Sequence, residues 1–161
     1  MNKNSLKNIA TEVINLEIDA LKILKKSINK NFDRAVNTIV NCQSKIILCG
    51  VGKSGLIAAK IASTLSSVGS PAFSLSANDC LHGDLGSITK KDILILISNS
   101  GKSEEIIPII KFANRNKIKL IGIVSKKNSF LYKGSDIKIL LPEVRESGLG
   151  VVPTSSTSIQ L

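Results

Sequence analysis

The run Ile93-Leu94-Ile95-Leu96-Ile97 constrains this chain more than any other stretch. Five consecutive apolar residues with no polar position among them fit a strand covered on both faces. The pattern therefore predicts the middle of a parallel sheet flanked by helices. The run stops abruptly at Ser98-Asn99-Ser100-Gly101-Lys102-Ser103, followed by Glu104-Glu105-Ile106-Ile107. Three hydroxyls, a flexible glycine and several backbone N–H groups thus stand where a helix would begin, with Ser103 as its N-cap candidate and an acidic first turn. A strand that delivers such groups to a helix N-terminus makes an anion site, and no basic residue is required because the amides and the helix dipole already favour a phosphate. The plainer reading, in which Ser103 only caps and the other serines only solvate the loop, fits the same residues.

At 161 residues the chain is expected to form one domain. Hydrophobic content of 43% with 21% charged residues describes a soluble globular protein. No apolar run approaches the roughly 20 residues needed to span a bilayer. The start, Met1-Asn2-Lys3-Asn4-Ser5, lacks a following apolar core of the signal-peptide kind, so the expected compartment is the cytoplasm. Cys42, Cys49 and Cys80 are irregularly spaced and accompanied by a single histidine, which fits neither a disulfide framework nor a zinc site. They are read as reduced, with Cys49 buried in a strand, and no metal is expected. A net charge of +10 raises nucleic acid as a partner, yet the lysines are scattered and have no aromatic interleaving. A solvated lysine-rich surface that also draws in a phosphate dianion accounts for them, with neither nucleic acid nor membrane as partner.

Taken in order, Leu6, Ile9, Val13, Leu16, Leu21, Leu24 and Ile28 recur at helical spacing over residues 5–30. Phe32, Ala35, Val36, Ile39 and Val40 continue the pattern to about residue 41. These two helices are expected to form an N-terminal arm, residues 1–42, ahead of a sheet domain at 43–161. Packing of the arm on its own domain and packing on a partner subunit both remain open.

Residues 45–49 form a short apolar run ending in Gly50-Val51-Gly52-Lys53-Ser54-Gly55, with a helical pattern over 56–68. A Walker A loop would need glycine at position 47, which is Ile47. The spacing Gly50, Gly52, Gly55 satisfies G-x-G-x-x-G, but the acidic residue expected at the tip of the next strand, 71–75, is missing or late, so a dinucleotide cofactor is the weaker reading. A glycine-rich turn carrying a lysine serves any phosphorylated ligand that needs close backbone approach. Residues 78–88 read as a loop in which His82, beside Asp84, is an acid/base candidate or a structural histidine. Further on, 104–116 reads as helix, 119–124 as strand, 129–134 as a short helix and 136–141 as strand, an alternation that makes an α/β fold with a parallel sheet. The tail ends in Pro153-Thr154-Ser155-Ser156-Thr157, and residues 158–161 look like the first turn of a further helix. The sheet face is expected to need that helix, so the chain reads as cut short, with exposed apolar surface and marginal stability.

Together, Gly50-Val51-Gly52-Lys53-Ser54-Gly55, Leu81-His82-Gly83-Asp84-Leu85-Gly86, Ser98-Asn99-Ser100-Gly101-Lys102-Ser103-Glu104-Glu105 and Pro153-Thr154-Ser155-Ser156-Thr157 resemble the sugar isomerase (SIS) domain, and more narrowly the D-arabinose 5-phosphate isomerases. The resemblance runs over nearly the whole chain, in order. It implies a flavodoxin-like three-layer αβα fold, a cytoplasmic homotetramer with active sites between subunits, and a cofactor-free aldose–ketose isomerisation supplying the lipopolysaccharide sugar Kdo. It also implies that Ser98, Ser100 and Ser103, with Ser54, Asn99, Thr154 and Ser155, hold the substrate phosphate, and that Lys53, His82, Glu105 and Glu146 handle the sugar and its protons. Three departures stand beside it. The family's long C-terminal helix, its Ser-His-Pro-Gly-Gly stretch and its CBS domains are absent, the loop Glu146-Ser147-Gly148-Leu149-Gly150 is about one residue short, and Lys102 replaces a common acidic residue.

Overall fold

A computed structural model describes residues 3–147, 150 and 152–161. Met1, Asn2, Gly148, Leu149 and Val151 lie outside the described residues, so the shortened loop after Glu146 is described only in part. Two helices, α1 (Lys3–Ser27) and α2 (Lys30–Val40), lead into β1 (Ile46–Gly50), α3 (Lys53–Ser67), β2 (Ala72–Ser76) and α4 (Ala77–Leu81). A 3-10 turn at Asp84–Ser87 precedes β3 (Ile93–Ser98), α5 (Ile106–Arg115), β4 (Lys119–Val124), α6 (Phe130–Gly134), β5 (Ile137–Leu140) and α7 (Ser155–Ser158).

The five strands form one parallel sheet in the order β2-β1-β3-β4-β5. β3 holds the centre, and all six of its residues are buried. Its alternation feeds two separate cores. Leu94 and Leu96 join Ile47, Leu120 and Val124 under α4, α5 and α6. Ile93, Ile95 and Ile97 join Ile46, Leu48 and Ile121 under α2 and α3. This is a three-layer αβα arrangement, as the sequence resemblance implied. Each buried Ile or Leu contributes about 1.5–3 kcal/mol, so the central strands supply much of the cohesion.

Three local readings are corrected. The helix expected from residue 104 starts at Ile106, with Glu105 rather than Ser103 at the N-cap, and Ser103 takes part through its carbonyl, which accepts the Ile106 N–H at 3.2 Å. Pro108 is the reason: it has no N–H to donate and its ring crowds the carbonyl four residues back, so it fits only within the first helical turn. The stretch read as a loop at 78–88 contains α4, capped by the Ser76 hydroxyl, and the 3-10 turn. In the tail, the helix begins at Ser155, not at residue 158.

The amino end of the sheet is tied by one carboxylate. Asp92, buried just before β3, accepts hydrogen bonds from the Ser44 hydroxyl at 2.6 Å, the Thr89 N–H at 2.7 Å and the Thr89 hydroxyl at 2.9 Å. The Lys45 ammonium approaches it to 2.9 Å. The start of β1 is thereby fastened to the start of β3. Burial alone would push the Asp92 carboxyl up, but the bonds from Ser44, Thr89 and Lys45 outweigh it and hold the group far below the usual carboxylate range.

α1 meets the domain along a narrow contact in which Ala20 packs with Leu141 and Ile159. Leu6, Ile9, Ile14, Ile18 and Leu21 on the same helix are exposed. Beside it lies an apolar cavity of ≈240 Å³ lined by residues that include Leu24, Phe32, Ile61, Ile139 and Leu161. No helix among the described residues is long and apolar enough to cross a membrane. All three cysteines are free, with Cys49 and Cys80 buried.

Replacing Asp92 by Ala leaves several donors without their acceptor, and urea unfolding is expected to show a loss of about 2–4 kcal/mol. The Asp92 carboxyl is lowered in the folded state. Its stabilisation is therefore fully present above the ordinary Asp value of about 3.9 and is lost as pH falls through the lower folded value, a dependence that Asp92→Ala removes.

Candidate active site

In a sheet of parallel strands every carboxyl end lies on one edge. The chain leaves β1 toward β2 on one side and reaches β3 on the other, so a crevice opens between the ends of β1 and β3. Two polar turns meet there. The first follows β1. A Cβ on Gly50 would stand 2.7 Å from the Ser54 carbonyl, and one on Gly55 would stand 2.8 Å from the Gly50 oxygen, so the first turn of α3 rests directly on the end of the strand. Gly52 takes φ +58° at the helix N-cap. The helix thus begins at Lys53, three residues earlier than the apolar pattern indicates, and places Lys53 and Ser54 at the crevice. The second turn follows β3. There the Ser98 hydroxyl accepts the Gly101 N–H at 3.0 Å and the Ser100 hydroxyl accepts the Lys102 N–H at 3.3 Å. Gly101, at φ +64°, packs against Ser129 and Val124, where a Cβ would lie 2.6 Å from the Ser129 Cβ.

The tail closes the crevice. Lys53, Ser54, Asn99, Glu146, Ser156, Thr157 and Gln160 are among the residues that line a cavity of ≈240 Å³. Asn99, Glu146 and Ser156 also line an adjoining cavity of ≈100 Å³ that reaches Ser125 and Lys126. Glu146 organises this wall. Its Oε2 accepts the Thr154 N–H at 2.7 Å, the Thr154 hydroxyl at 2.9 Å and the Ser156 N–H at 3.1 Å. Burial raises the Glu146 carboxyl, but hydrogen bonds from the Ser156 hydroxyl and from the N–H groups and hydroxyl of residues 154 and 156 prevail and lower it. Glu146 is therefore an ionised clamp that holds the tail through one oxygen, Oε2, which takes all three of these bonds.

Of the residues singled out in the sequence, Lys53, Ser54, Asn99 and Glu146 come together in the cavity. Ser100 lies in a neighbouring depression with Lys102, Lys126, Lys127 and Glu143. The others stand apart within the single chain. His82 caps the end of α4 and is exposed, and Glu105 is half-buried at the start of α5; neither lines these cavities. Ser98 is buried beneath its own loop. Thr154 is committed to Glu146 and to the Ser147 N–H, which it accepts at 2.8 Å. Ser155 turns away from the cavity, its hydroxyl donating to Glu17 at 3.1 Å.

Two further residues belong to the wall and carried no sequence signal of their own. Gln160 accepts the Ser54 hydroxyl at 2.9 Å, and Ser125, after β4, donates to the Asn99 side-chain oxygen at 2.6 Å. Each is brought in by a partner distant in sequence. No group of three or more His, Cys, Asp or Glu among the described residues is placed to hold a metal ion.

Because the Glu146 carboxyl is lowered, its clamp is present above the ordinary Glu value of about 4.3 and loosens as pH falls through the lower folded value. In an NMR titration the Thr154 and Ser156 amide resonances are expected to move together with one midpoint below that value. Glu146→Ala removes the midpoint and costs about 1–3 kcal/mol of stability.

Comparison with known proteins supplies a frame for this geometry. Arabinose 5-phosphate isomerase KdsD of Yersinia pestis is 42% identical over 151 residues, which cover 93% of this chain and 46% of that protein. An uncharacterized Rickettsia prowazekii protein is 40% identical over 161 residues, all of this chain and 50% of its own length. The chain therefore spans about half the length of the curated relatives it matches. Among solved structures, an E. coli CFT073 protein in complex with arabinose 5-phosphate superposes with a TM-score of 0.94 at 32% identity, over 99% of this chain and 85% of that one. The order of the sheet, the serine turn after β3 and the tail that closes the crevice all fall within residues 39–161, which match the SIS domain, and the chain belongs to the SIS domain family.

Proposed function

We propose that the chain carries the isomerase domain of a sugar-phosphate aldose–ketose isomerase that interconverts D-ribulose 5-phosphate and D-arabinose 5-phosphate, the precursor of Kdo. The observation that carries this reading is the crevice itself. Lys53, Ser54, Asn99, Glu146 and the 156–157 turn converge there, in a chain 42% identical to a named arabinose 5-phosphate isomerase and superposable on a protein bound to arabinose 5-phosphate.

The reaction moves a proton between C1 and C2 through an enediol, so it needs a base for the carbon-bound proton and a cation or acid for the oxygen on which charge develops. Ser54, the serine turn at 98–103 and Asn99 are assigned to the phosphate side, with Ser156 and Thr157 of the tail in place of Thr154 and Ser155, whose hydroxyls are engaged by Glu146 and Glu17. Lys53 is assigned to the enediolate oxygen. Glu146 holds the tail in place through Oε2 and keeps its other oxygen available as a base; the further groups assigned to the protons are Glu105, for transfer between the carbons, and His82, for ring opening or relay. Both of these lie outside the single-chain cavity and join the site in the proposed cytoplasmic homotetramer, whose N-terminal arm, residues 1–42, precedes the 43–161 domain. The isomerisation as written needs no cofactor.

A second reading is favoured by that same placement. A cavity whose own carboxylate serves to hold the tail, with Glu105 and His82 elsewhere, suits a module that binds a phosphosugar without converting it. Conversion of ribulose 5-phosphate by the purified chain, with chelator present, separates the two. Turnover is expected, falling about 10²- to 10³-fold in Lys53→Ala and more than about 10²-fold in Glu105→Gln. Binding of arabinose 5-phosphate without turnover establishes the binding module instead, and absence of both overturns the phosphosugar reading.

A further inference from the structure

Glu17 stands apart from everything assigned above. It lies on α1, at the narrow contact between that helix and the tail, one turn before Ala20, which packs with Leu141 and Ile159. One carboxylate oxygen, Oε1, accepts the hydroxyl of Ser155 at 3.1 Å. The other, Oε2, is buried with no hydrogen-bond partner among the described residues. Packing alone does not account for this arrangement. A leucine or glutamine of similar size would fill the same space without placing an unpartnered carboxylate oxygen away from water.

What Glu17 touches points to its use. Ser155 is fully buried, and it opens the turn whose next two residues, Ser156 and Thr157, line the cavity. The turn is gripped from both sides. On the cavity side, Glu146 takes the N–H groups of Thr154 and Ser156. On the arm side, Glu17 takes the Ser155 hydroxyl between them. Successive residues of one short segment are thus held by two carboxylates from distant parts of the chain, which restrains the rotation of the segment about its own axis. These side-chain bonds matter for residues 156 and 157 because α7 is only four residues long and adds little rigidity of its own.

We infer that Glu17 is a positioning residue for the phosphosugar site, acting through Ser155 to fix the 154–157 turn so that Ser156 and Thr157 face the cavity. The inference rests on the phosphosugar reading for its ligand, although the mechanical link from the arm to the cavity wall does not. Its consequence is that the N-terminal helix contributes to ligand affinity without touching the ligand.

The test uses the full chain as wild type, Glu17→Ala, Glu17→Gln, Ser155→Ala and the Glu17→Ala/Ser155→Ala double variant. Binding of arabinose 5-phosphate is measured by calorimetry, and the Ser156 and Thr157 amide resonances by NMR. Glu17→Ala and Ser155→Ala are each expected to weaken binding about 10-fold, with the double variant no weaker than the worse single one, because the two residues act as one link. Glu17→Gln keeps an acceptor for Ser155 and is expected to stay within about 2-fold of wild type. The two amide resonances move alike in Glu17→Ala and Ser155→Ala and stay in place in Glu17→Gln. Additive losses in the double variant, or unchanged affinity with unmoved resonances in Glu17→Ala, overturn the inference. Should Glu17→Ala fail to fold, Ser155→Ala and Glu17→Gln still decide by the same two readouts. If wild type does not bind the sugar phosphate, the phosphosugar reading falls, and the resonances then decide the positional link independently.

Discussion

A strand buried on both faces has no tolerance for polar side chains along its length, and β3 imposes that condition on the whole molecule. Its Ile and Leu residues reach alternately into two cores, one under α4, α5 and α6 and one under α2 and α3. Polar chemistry is thereby pushed to the two ends of the sheet. Parallel strands send all their carboxyl ends to one edge, and the reversal of strand order between β1 and β3 opens that edge into a crevice. The location of the candidate site follows from this arrangement before any particular side chain is considered.

Two carboxylates hold the two ends, and their similar environments serve different purposes. Asp92 fastens the starts of β1 and β3, where its burial and its donors on Ser44, Lys45 and Thr89 fix strand register. Glu146 closes the tail on itself at the open edge, where the same balance of burial against hydrogen bonds keeps it ionised and engaged. Its clamp acts through one oxygen, Oε2, which takes the N–H groups of Thr154 and Ser156 and the Thr154 hydroxyl.

The glycines at 50, 55 and 101 show how closely that scaffold is built. At 50 and 55 a side chain would collide with backbone, so the helix after β1 sits against the strand end with nothing between them. At 101 a positive φ and the close approach of Ser129 join the serine turn to the start of α6. The motif positions that read as phosphate chemistry in the sequence are thus equally positions of tight packing. That is why a glycine pattern alone could not separate a dinucleotide site from any other phosphate site.

Much of this was legible in the residues themselves. The apolar run at 93–97 required a central, doubly covered strand. The alternation of short runs with helical patterns required a parallel sheet, and the polar turns at 50–55 and 98–103 had to lie at its carboxyl edge. These features depend on local chemistry and on period, which a linear sequence preserves. Helix boundaries were less legible, because a single residue such as Pro108 overrules a reasonable cap at Ser103. The wall of the cavity was legible only in part: Lys53, Ser54, Asn99 and Glu146 stood out by motif and residue type, but the contacts that complete it did not. Gln160 meets Ser54 across 106 positions, Ser155 meets Glu17 across 138, and Ser125 meets Asn99 across 26. Such contacts have no period and no motif; they exist because the folded sheet brings distant turns to the same edge. The sequence by itself determined the class of fold, the edge on which ligand chemistry could occur and the residue types available there. Only the tertiary structure decided which hydroxyls face the cavity and which are spent holding it, since a side chain's direction is set by partners far away in the chain.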